Sequence, residues 1–131
     1  MPASQVEVRR PYTDAEAAAL LDAVHASLVA AFRIPEDDRT VRLVEHDPAR
    51  FAVSPSLDTP ERYTIVTIDC FSGRTLDAKR ALYAEIVTRF EPLGIPRDHV
   101  KIIVHDVPRE NWGLRGGQAG SDIQLDFTVE V

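Results

Sequence analysis

Pro2 is the residue whose type and position most directly suggest chemistry. Initiator methionine is normally removed before a small residue, and its removal would leave Pro2 as a secondary amine at the start of a core strand. An α-amino group titrates near ~7.7–8.0, and burial or a nearby cation lowers that pKa. A fixed N-terminal amine can therefore act as a general base near neutral pH, or as a general acid while protonated. The alternative is that Pro2 is only a common second residue.

Arg74 is the second residue whose type and position suggest chemistry. It follows Ser72 and Gly73 in a turn, and it comes directly before Thr75, which is predicted to cap a helix. Free N–H groups and the helix dipole favour an anion at such a helix start. Arg74 could hold a carboxylate there, or it could be a solvated turn arginine.

Both residues belong to a strand–helix–strand pattern that occurs twice. With an offset of 62, Thr13 aligns with Thr75, and the apolar positions of the two helices then coincide. Each helix is followed by Ile-Pro, and each second strand closes on His-Asp. Such self-similarity predicts a duplicated β-α-β unit. The chain is thus one domain over residues 1–131, with copy one at about 2–47, copy two at about 62–107 and a C-terminal loop and strand at 108–131.

Periodicity and capping signals predict the individual elements. A capping box at Thr13 to Glu16 starts the first helix, and β-branched runs predict the strands. The remaining segments are read as an irregular connection over 48–61 with a short extended piece at 51–53, a glycine-rich loop over 108–120, and a half-buried strand over the alternating tail 123–131. The predicted fold is α/β: a four-stranded, mainly parallel core sheet, two helices on one face, and an extra C-terminal strand for oligomer contacts.

Composition excludes several classes of function. A net charge of -6 argues against nucleic acid and anionic membranes as partners. The single cysteine, Cys70, excludes an internal disulfide and favours the cytoplasm, and it is expected to be a buried apolar residue rather than a reactive thiol. No membrane span and no signal peptide are expected. No metal-ligand spacing or phosphate loop is present, so no metal and no cofactor is expected.

The ordered set of motifs resembles the tautomerase superfamily, and within it the malonate semialdehyde decarboxylase-like subgroup. The resemblance spans roughly residues 2 to 120. It rests on Pro2, Leu20 to His25, Ala31-Phe32, Ile34-Pro35 to Asp38-Arg39, Gly73-Arg74-Thr75 with Lys79, and Asn111-Trp112. The resemblance implies that Pro2 is the catalytic amine, that Arg74 binds the substrate carboxylate, and that trimers form.

The resemblance also implies roles for three further residues. Asp38 matches an acidic residue that polarises water or stabilises the proline, although it could be a surface charge. Trp112 matches a pocket aromatic residue, with loop packing as the alternative. His25 matches a substrate-binding position of haloacrylate dehalogenases, but a satisfied, partly buried histidine is favoured. Ser72 stands where the decarboxylase pattern has a second arginine, so decarboxylation and dehalogenation become doubtful.

Three functions therefore compete. The leading one is a tautomerase that moves a proton in an enol/keto 2-oxo acid, with Pro2 as acid/base and Arg74 on the carboxylate. The second is a decarboxylase or hydratase of a small 3-oxo acid, such as malonate semialdehyde, using Pro2, Asp38 and Arg74. The third is a catalytically silent trimeric binding module. The expected partners are a small anionic carboxylate and further copies of this chain.

Overall fold

The computed structural model describes all residues from 1 to 131, and it contains the two predicted β-α-β units. The strands and helices are β1 (Ala3–Val8), α1 (Asp14–Phe32), β2 (Val41–Glu45), β3 (Thr64–Phe71), α2 (Leu76–Phe90), β4 (Val100–Val107), β5 (Gly113–Leu114) and β6 (Gln118–Ala119). Both helices start where their caps predict. The Thr13 hydroxyl accepts from the Glu16 amide, and the Thr75 hydroxyl accepts from the Ala78 amide.

The main sheet has the strand order β2-β1-β3-β4. Within each unit the two strands are parallel, β1 with β2 and β3 with β4. The units join through β1 and β3, which are antiparallel, with Ala3 opposite Asp69. The predicted α/β fold is confirmed, and two of its three strand pairings are parallel. The antiparallel junction turns the two units in opposite directions.

One face of the sheet carries the core. Every second residue of β1 and β3 is buried against the helices, including Val6, Val66 and Ile68, while the helices contribute Leu28, Leu82 and other apolar side chains. The opposite face has no helix across it. There the residues of β1 and β3 are only partly buried, and Ile103 of β4 is 40% exposed. The sheet is thus covered on one side, as the sequence predicts.

Helix α1 has the length and composition of a membrane-spanning helix, with 19 residues and a mean hydropathy of 1.4. Length and composition are the only grounds for that comparison, since core helices of soluble proteins meet the same criteria. Seven of its residues are buried in the chain's own fold. Its apolar character is therefore accounted for by packing against the sheet and α2.

The C-terminal region contains a strand pair, but not where the alternation predicts a strand. The pair is β5 with β6, inside the segment expected to be loop. Residues 123–131 form no strand, because no sheet edge in the chain pairs with them. Their burial still alternates with the sequence: the odd-numbered residues are buried or partly buried, and the even-numbered ones are exposed. The predicted extended piece at 51–53 forms no strand and lies between two 3-10 turns, Pro48–Arg50 and Pro60–Arg62.

Two hydrogen bonds anchor the tail, one at each end. Arg109 donates to the Ile123 carbonyl, and the Thr75 amide donates to the Val131 carbonyl over 3.0 Å. Between these anchors Val129 passes close to Gly73, where a Cβ atom would lie 3.1 Å from its Cγ1. Gly73 also has a φ of +130°, which side chains rarely adopt. The tail therefore lies beside the turn that carries Arg74.

Candidate active site

Strand register brings three segments of the chain together at one end of the sheet. Because Ala3 lies opposite Asp69, the residues before Ala3 lie beside the end of β3. The end of β4 lies on the other side, with Asp106 paired to Cys70 and Val107 to Phe71. Helix α2 starts just after β3. This end of the sheet therefore collects the N-terminus, Arg74 and Asp106, which are far apart in sequence.

The N-terminal amine lies against Asp38. Pro2 is buried, and the amine nitrogen, which belongs to Met1 in this structure, is 3.2 Å from Asp38 Oδ2. Burial lowers the pKa of this amine below its usual 8.0, Asp38 raises it, and Arg74 lowers it further. The amine is thus held in a place where its proton can be exchanged near neutral pH.

Arg74 is the most buried charged side chain at this end, at 6% exposure. One of its terminal nitrogens donates to the Phe71 carbonyl over 3.1 Å, and its guanidinium lies 4.9 Å from the ring centre of Phe32. Its other terminal nitrogen and Nε are buried without a hydrogen-bond partner. Burial lowers the pKa of Arg74, while the nearby Cys70, Asp106 and Asp38 raise it. A buried cation with unused donors is suited to binding an anion.

A second carboxylate lies at the same end of the sheet and is already paired. Asp106 Oδ2 accepts from Lys79 Nζ over 2.6 Å, and its Oδ1 is 3.9 Å from the Cys70 sulfur. Cys70 is fully buried, and burial raises the pKa of its thiol. These facts agree with the interpretation of Cys70 as a small apolar residue. They leave Arg74 as the cation at this end without a carboxylate partner.

Trp112 and Ser72 lie on either side of Phe71. The Trp112 ring meets the Phe71 ring edge-on, with centres 5.2 Å apart, and its Nε1 donates to the Val107 carbonyl. Phe71 connects Trp112 with Arg74, because its ring contacts Trp112 and its carbonyl accepts a hydrogen bond from the Arg74 guanidinium. Ser72 is exposed, and its amide donates to the Val107 carbonyl over 3.2 Å.

His25 lies in a different part of the molecule. Its Nε2 is 2.7 Å from the Glu36 carbonyl, so that nitrogen must donate, and its Nδ1 is buried without a partner. It lines a cavity of about 480 Å³ together with Asp22, Glu36 and Arg39 among others. Pro2, Asp38 and Arg74 do not line that cavity. The structure therefore brings Pro2, Asp38 and Arg74 together and leaves His25 outside the group.

Sequence reasoning missed Asp106 and Lys79 as residues at this end. A signal was present, because both second strands close on His-Asp and Lys79 is part of the motif set that carries the family resemblance. Their pairing could not be predicted, since it depends on where α2 lies relative to the end of β4.

Comparison with known proteins identifies the family. A family model described as "Tautomerase enzyme" matches residues 38–115, which is 78 of the 131 residues. The chain belongs to the tautomerase family. Its predicted membership of the tautomerase superfamily is confirmed, and the family is one of enzymes.

Individual relatives and structures agree with this assignment. A probable tautomerase, YusQ of Bacillus subtilis (strain 168), is 24% identical over 91% of this chain and 97% of its own. The 2-hydroxymuconate tautomerase of Comamonas testosteroni is 45% identical over 49 residues, which are 36% of this chain and 76% of the relative.

Two solved structures share the fold. That of a malonate semialdehyde decarboxylase has a TM-score of 0.81 at 22% identity, covering 93% of this chain and 99% of that chain. A fused 4-OT solved as an asymmetric trimer has a TM-score of 0.81 at 21% identity, covering 92% and 97%. At these identities the likeness shows the fold alone.

Proposed function

We propose that the chain is a proline-based tautomerase that moves a proton between oxygen and carbon of an enol/keto 2-oxo acid. The observation that carries this proposal is Arg74, a buried guanidinium with two unpartnered nitrogens at the same end of the sheet as the N-terminal amine. Such a pair supplies the two groups that the reaction needs: one cation for the substrate carboxylate and one base for the proton.

The proposed reaction uses a single nitrogen as base and then as acid. With Met1 removed, the Pro2 amine takes the proton from the enol oxygen, so the O–H bond breaks and an N–H bond forms. The carbon–oxygen bond becomes a carbonyl while the carbon–carbon double-bond electrons take the proton back from Pro2 at carbon. Burial strengthens the attraction between Arg74 and the substrate carboxylate during this transfer.

Asp38 is assigned to the amine rather than to the substrate. In the structure it lies 3.2 Å from the Met1 nitrogen and raises the pKa that burial lowers, and we assign it the same effect on the Pro2 amine once Met1 is removed. Trp112 is proposed to form an apolar wall next to Phe71, and Ser72 to border the Arg74 turn. His25 has no assigned part in proton transfer, because it lines another cavity.

A second candidate is a decarboxylase or hydratase of a small 3-oxo acid. The fold likeness to a malonate semialdehyde decarboxylase and the presence of Asp38 beside the amine favour it. It is ranked second because Ser72 supplies no charge where that pattern has an arginine. Proton transfer at carbon develops one enolate charge beside one carboxylate, which Arg74 and a protonated Pro2 can balance.

The proposed working form is a homotrimer in the cytoplasm. Its support is the open sheet face and the trimeric assembly of the fused 4-OT that shares the fold. A pocket completed by neighbouring copies would account for the exposed Ser72 and for the fact that Pro2 lines none of the main cavities of the single chain.

Steady-state kinetics of the processed chain on enol 2-oxo acids and on small 3-oxo acids test this proposal. The expected result is tautomerisation that Pro2→Ala and Arg74→Ala each reduce strongly. Arg80→Ala is the matched control, since Arg80 is an exposed arginine of α2, the helix that follows Arg74, and is paired with Asp77. A higher kcat/KM for decarboxylation than for any enol would favour the second candidate. Parent-like kinetics of Arg74→Ala would refute the proposed role of Arg74.

A further inference from the structure

The end of the sheet that holds the N-terminus contains two carboxylates, Asp38 and Asp106. Asp106 is paired in register with Cys70, and Arg74 donates to the carbonyl of the next residue, Phe71. Burial lowers the pKa of Arg74, while Cys70, Asp106 and Asp38 raise it. Neither carboxylate makes a hydrogen bond to the guanidinium, whose Nε and second terminal nitrogen remain unpartnered. A buried arginine beside two carboxylates would normally be paired with one of them. The lack of a carboxylate partner for Arg74 therefore needs an explanation.

The reason is that each carboxylate has another cation. Asp38 lies 3.2 Å from the N-terminal amine. Asp106 lies 2.6 Å from Lys79, and its other oxygen faces the Cys70 thiol. Lys79 is at one-fifth exposure, and its pKa is raised chiefly by the hydrogen bond to Asp106. The ion pair thus fixes both oxygens of Asp106 toward Lys79 and Cys70 rather than toward Arg74.

We propose that Lys79 is a positioning residue that holds Asp106 away from Arg74 and so keeps the Arg74 guanidinium available for the substrate carboxylate. This inference rests on the proposed function, because it assumes that Arg74 binds the substrate. It assigns to Lys79 a role in substrate affinity without contact with the substrate. It also explains why a lysine belongs on the first turns of α2, facing the end of β4.

A double-mutant cycle on Lys79 and Asp106 tests the inference. In Lys79→Met the carboxylate loses its cation and is free to pair with Arg74. We expect KM for a carboxylate substrate to rise roughly tenfold or more, since a hydrogen bond to a charged group contributes about 1.5–3 kcal/mol. The change in kcat should be smaller, because Pro2 and Asp38 are untouched. Lys79→Arg, which keeps the charge, should restore much of the affinity.

The double variant separates positioning from a merely structural role. Asp106→Asn should lower KM, because it removes a negative charge near Arg74. Lys79→Met combined with Asp106→Asn should bring KM back to the parent's value or below, whatever happens to the melting temperature. The Arg80–Asp77 ion pair, 2.9 Å apart on the exposed side of α2, is the matched control cycle and should leave KM unchanged. Failure of the double variant to recover KM, or a parent-like KM in Lys79→Met, would overturn the inference.

Calorimetric binding of 2-oxobutyrate keeps this test distinct from the test of the proposed function. Loss of binding in Arg74→Ala together with recovery in the double variant supports both ideas. Loss in Arg74→Ala without recovery in the double variant overturns only the role of Lys79. Unchanged binding in Arg74→Ala overturns the assumed carboxylate site and, with it, the role of Lys79.

Discussion

At Arg74 the requirements of stability and of function conflict. A guanidinium that is 6% exposed and uses one of its nitrogens loses hydration without full replacement. Folding alone does not explain such an arrangement, whereas binding of an anion does. The stacking of Arg74 on Phe32 shows that its hydrophobic contacts are shared with the core, so its removal must be tested with a side chain of similar length.

Arg74→Met should lower activity without lowering stability. The methionine keeps contact with Phe32 and removes a poorly partnered buried charge, so the melting temperature is expected to stay equal or rise. kcat/KM for a carboxylate substrate should fall about 10- to 150-fold, from the ~1.5–3 kcal/mol of a hydrogen bond to a charged group. Thermal unfolding and kinetics of one preparation measure both. A variant that is destabilised yet fully active would contradict this account.

The pH dependence of activity should report the buried amine. A base must be unprotonated, so kcat/KM rises as pH rises through the pKa of the amine. Burial lowers the pKa of the Met1 amine in this structure, and we expect the same effect on the Pro2 amine of the processed chain, so the midpoint of the rise should lie below 8.0. Asp38→Asn removes a group that raises the pKa, so the midpoint should move to lower pH, while Asp37→Asn, at an exposed neighbour, should not move it. A midpoint that rises in Asp38→Asn would be incompatible with the assigned role.

Pro2 and Arg74 were singled out by residue type and position, as a second-residue proline and a turn arginine, whereas Asp38 was singled out only through the resemblance to the tautomerase superfamily, and their roles stay predictions. The Asp106–Lys79 pair was not predicted, since it depends on the relative placement of β4 and α2. The sequence indicated the burial of His25 but not its exact position. Its place at the edge of the apolar stripe of α1 indicates partial burial but does not indicate which cavity it faces.

At the scale of elements, the two helix caps are equivalent in sequence but not in position. Thr13 starts α1 at the far end of the sheet from Pro2, and Thr75 starts α2 beside Arg74. Loss of either cap costs helix stability by the same mechanism. Only the Thr75 cap also helps to fix the backbone of the turn that carries Arg74.

Thr13→Ala and Thr75→Ala therefore form a matched pair. Each should lower the free energy of unfolding by about 0.5–2 kcal/mol, because amide donors at a helix start lose their acceptor. Only Thr75→Ala should also raise KM, because it loosens the first turn of α2. Chemical denaturation and kinetics measure the two effects. Equal KM values in both variants would show that the cap has no influence on Arg74.

The four strands of the main sheet and both helices were predictable because each has a local signal: a cap, a β-branched or alternating run, or an Ile-Pro stop. The tail was not, because alternation over residues 123–131 specifies which side chains point inward but not a partner strand. In the single chain Val129 lies beside Gly73, and Phe127 and Val131 pack against the core. Two of the tail's carbonyls, those of Ile123 and Val131, accept hydrogen bonds from Arg109 and Thr75.

At the scale of the whole molecule, the open face of the sheet is the main unexplained surface. Its exposed β4 residue Ile103 is one of two large hydrophobic side chains that are well exposed, the other being Leu76 on α2. The duplication was predictable from the repeated motifs. The antiparallel pairing of β1 with β3 was not predictable, because it depends on how the two units pack together and has no sequence signal within either unit.

Ile103→Glu should weaken the homo-oligomer, because it places a charge on the face where further copies are proposed to pack. Leu76→Glu is the matched control, since it changes a more exposed hydrophobic residue on the helical side. Sedimentation at micromolar concentration should show a smaller species for Ile103→Glu and the parent assembly for Leu76→Glu. A parent chain that sediments as a stable monomer would contradict the proposed trimer.

The most direct test of the central claim compares the chain beginning at Pro2 with the same chain retaining Met1. In the structure the amine beside Asp38 is that of Met1, and the proposed chemistry requires that Met1 be removed so that the free amine is that of Pro2. Intact mass identifies each form, and kcat/KM on an enol 2-oxo acid measures its activity. The processed form should be active, while the form retaining Met1 and the Pro2→Ala variant should lose most of that activity. Full activity in a preparation that retains Met1 would contradict the account.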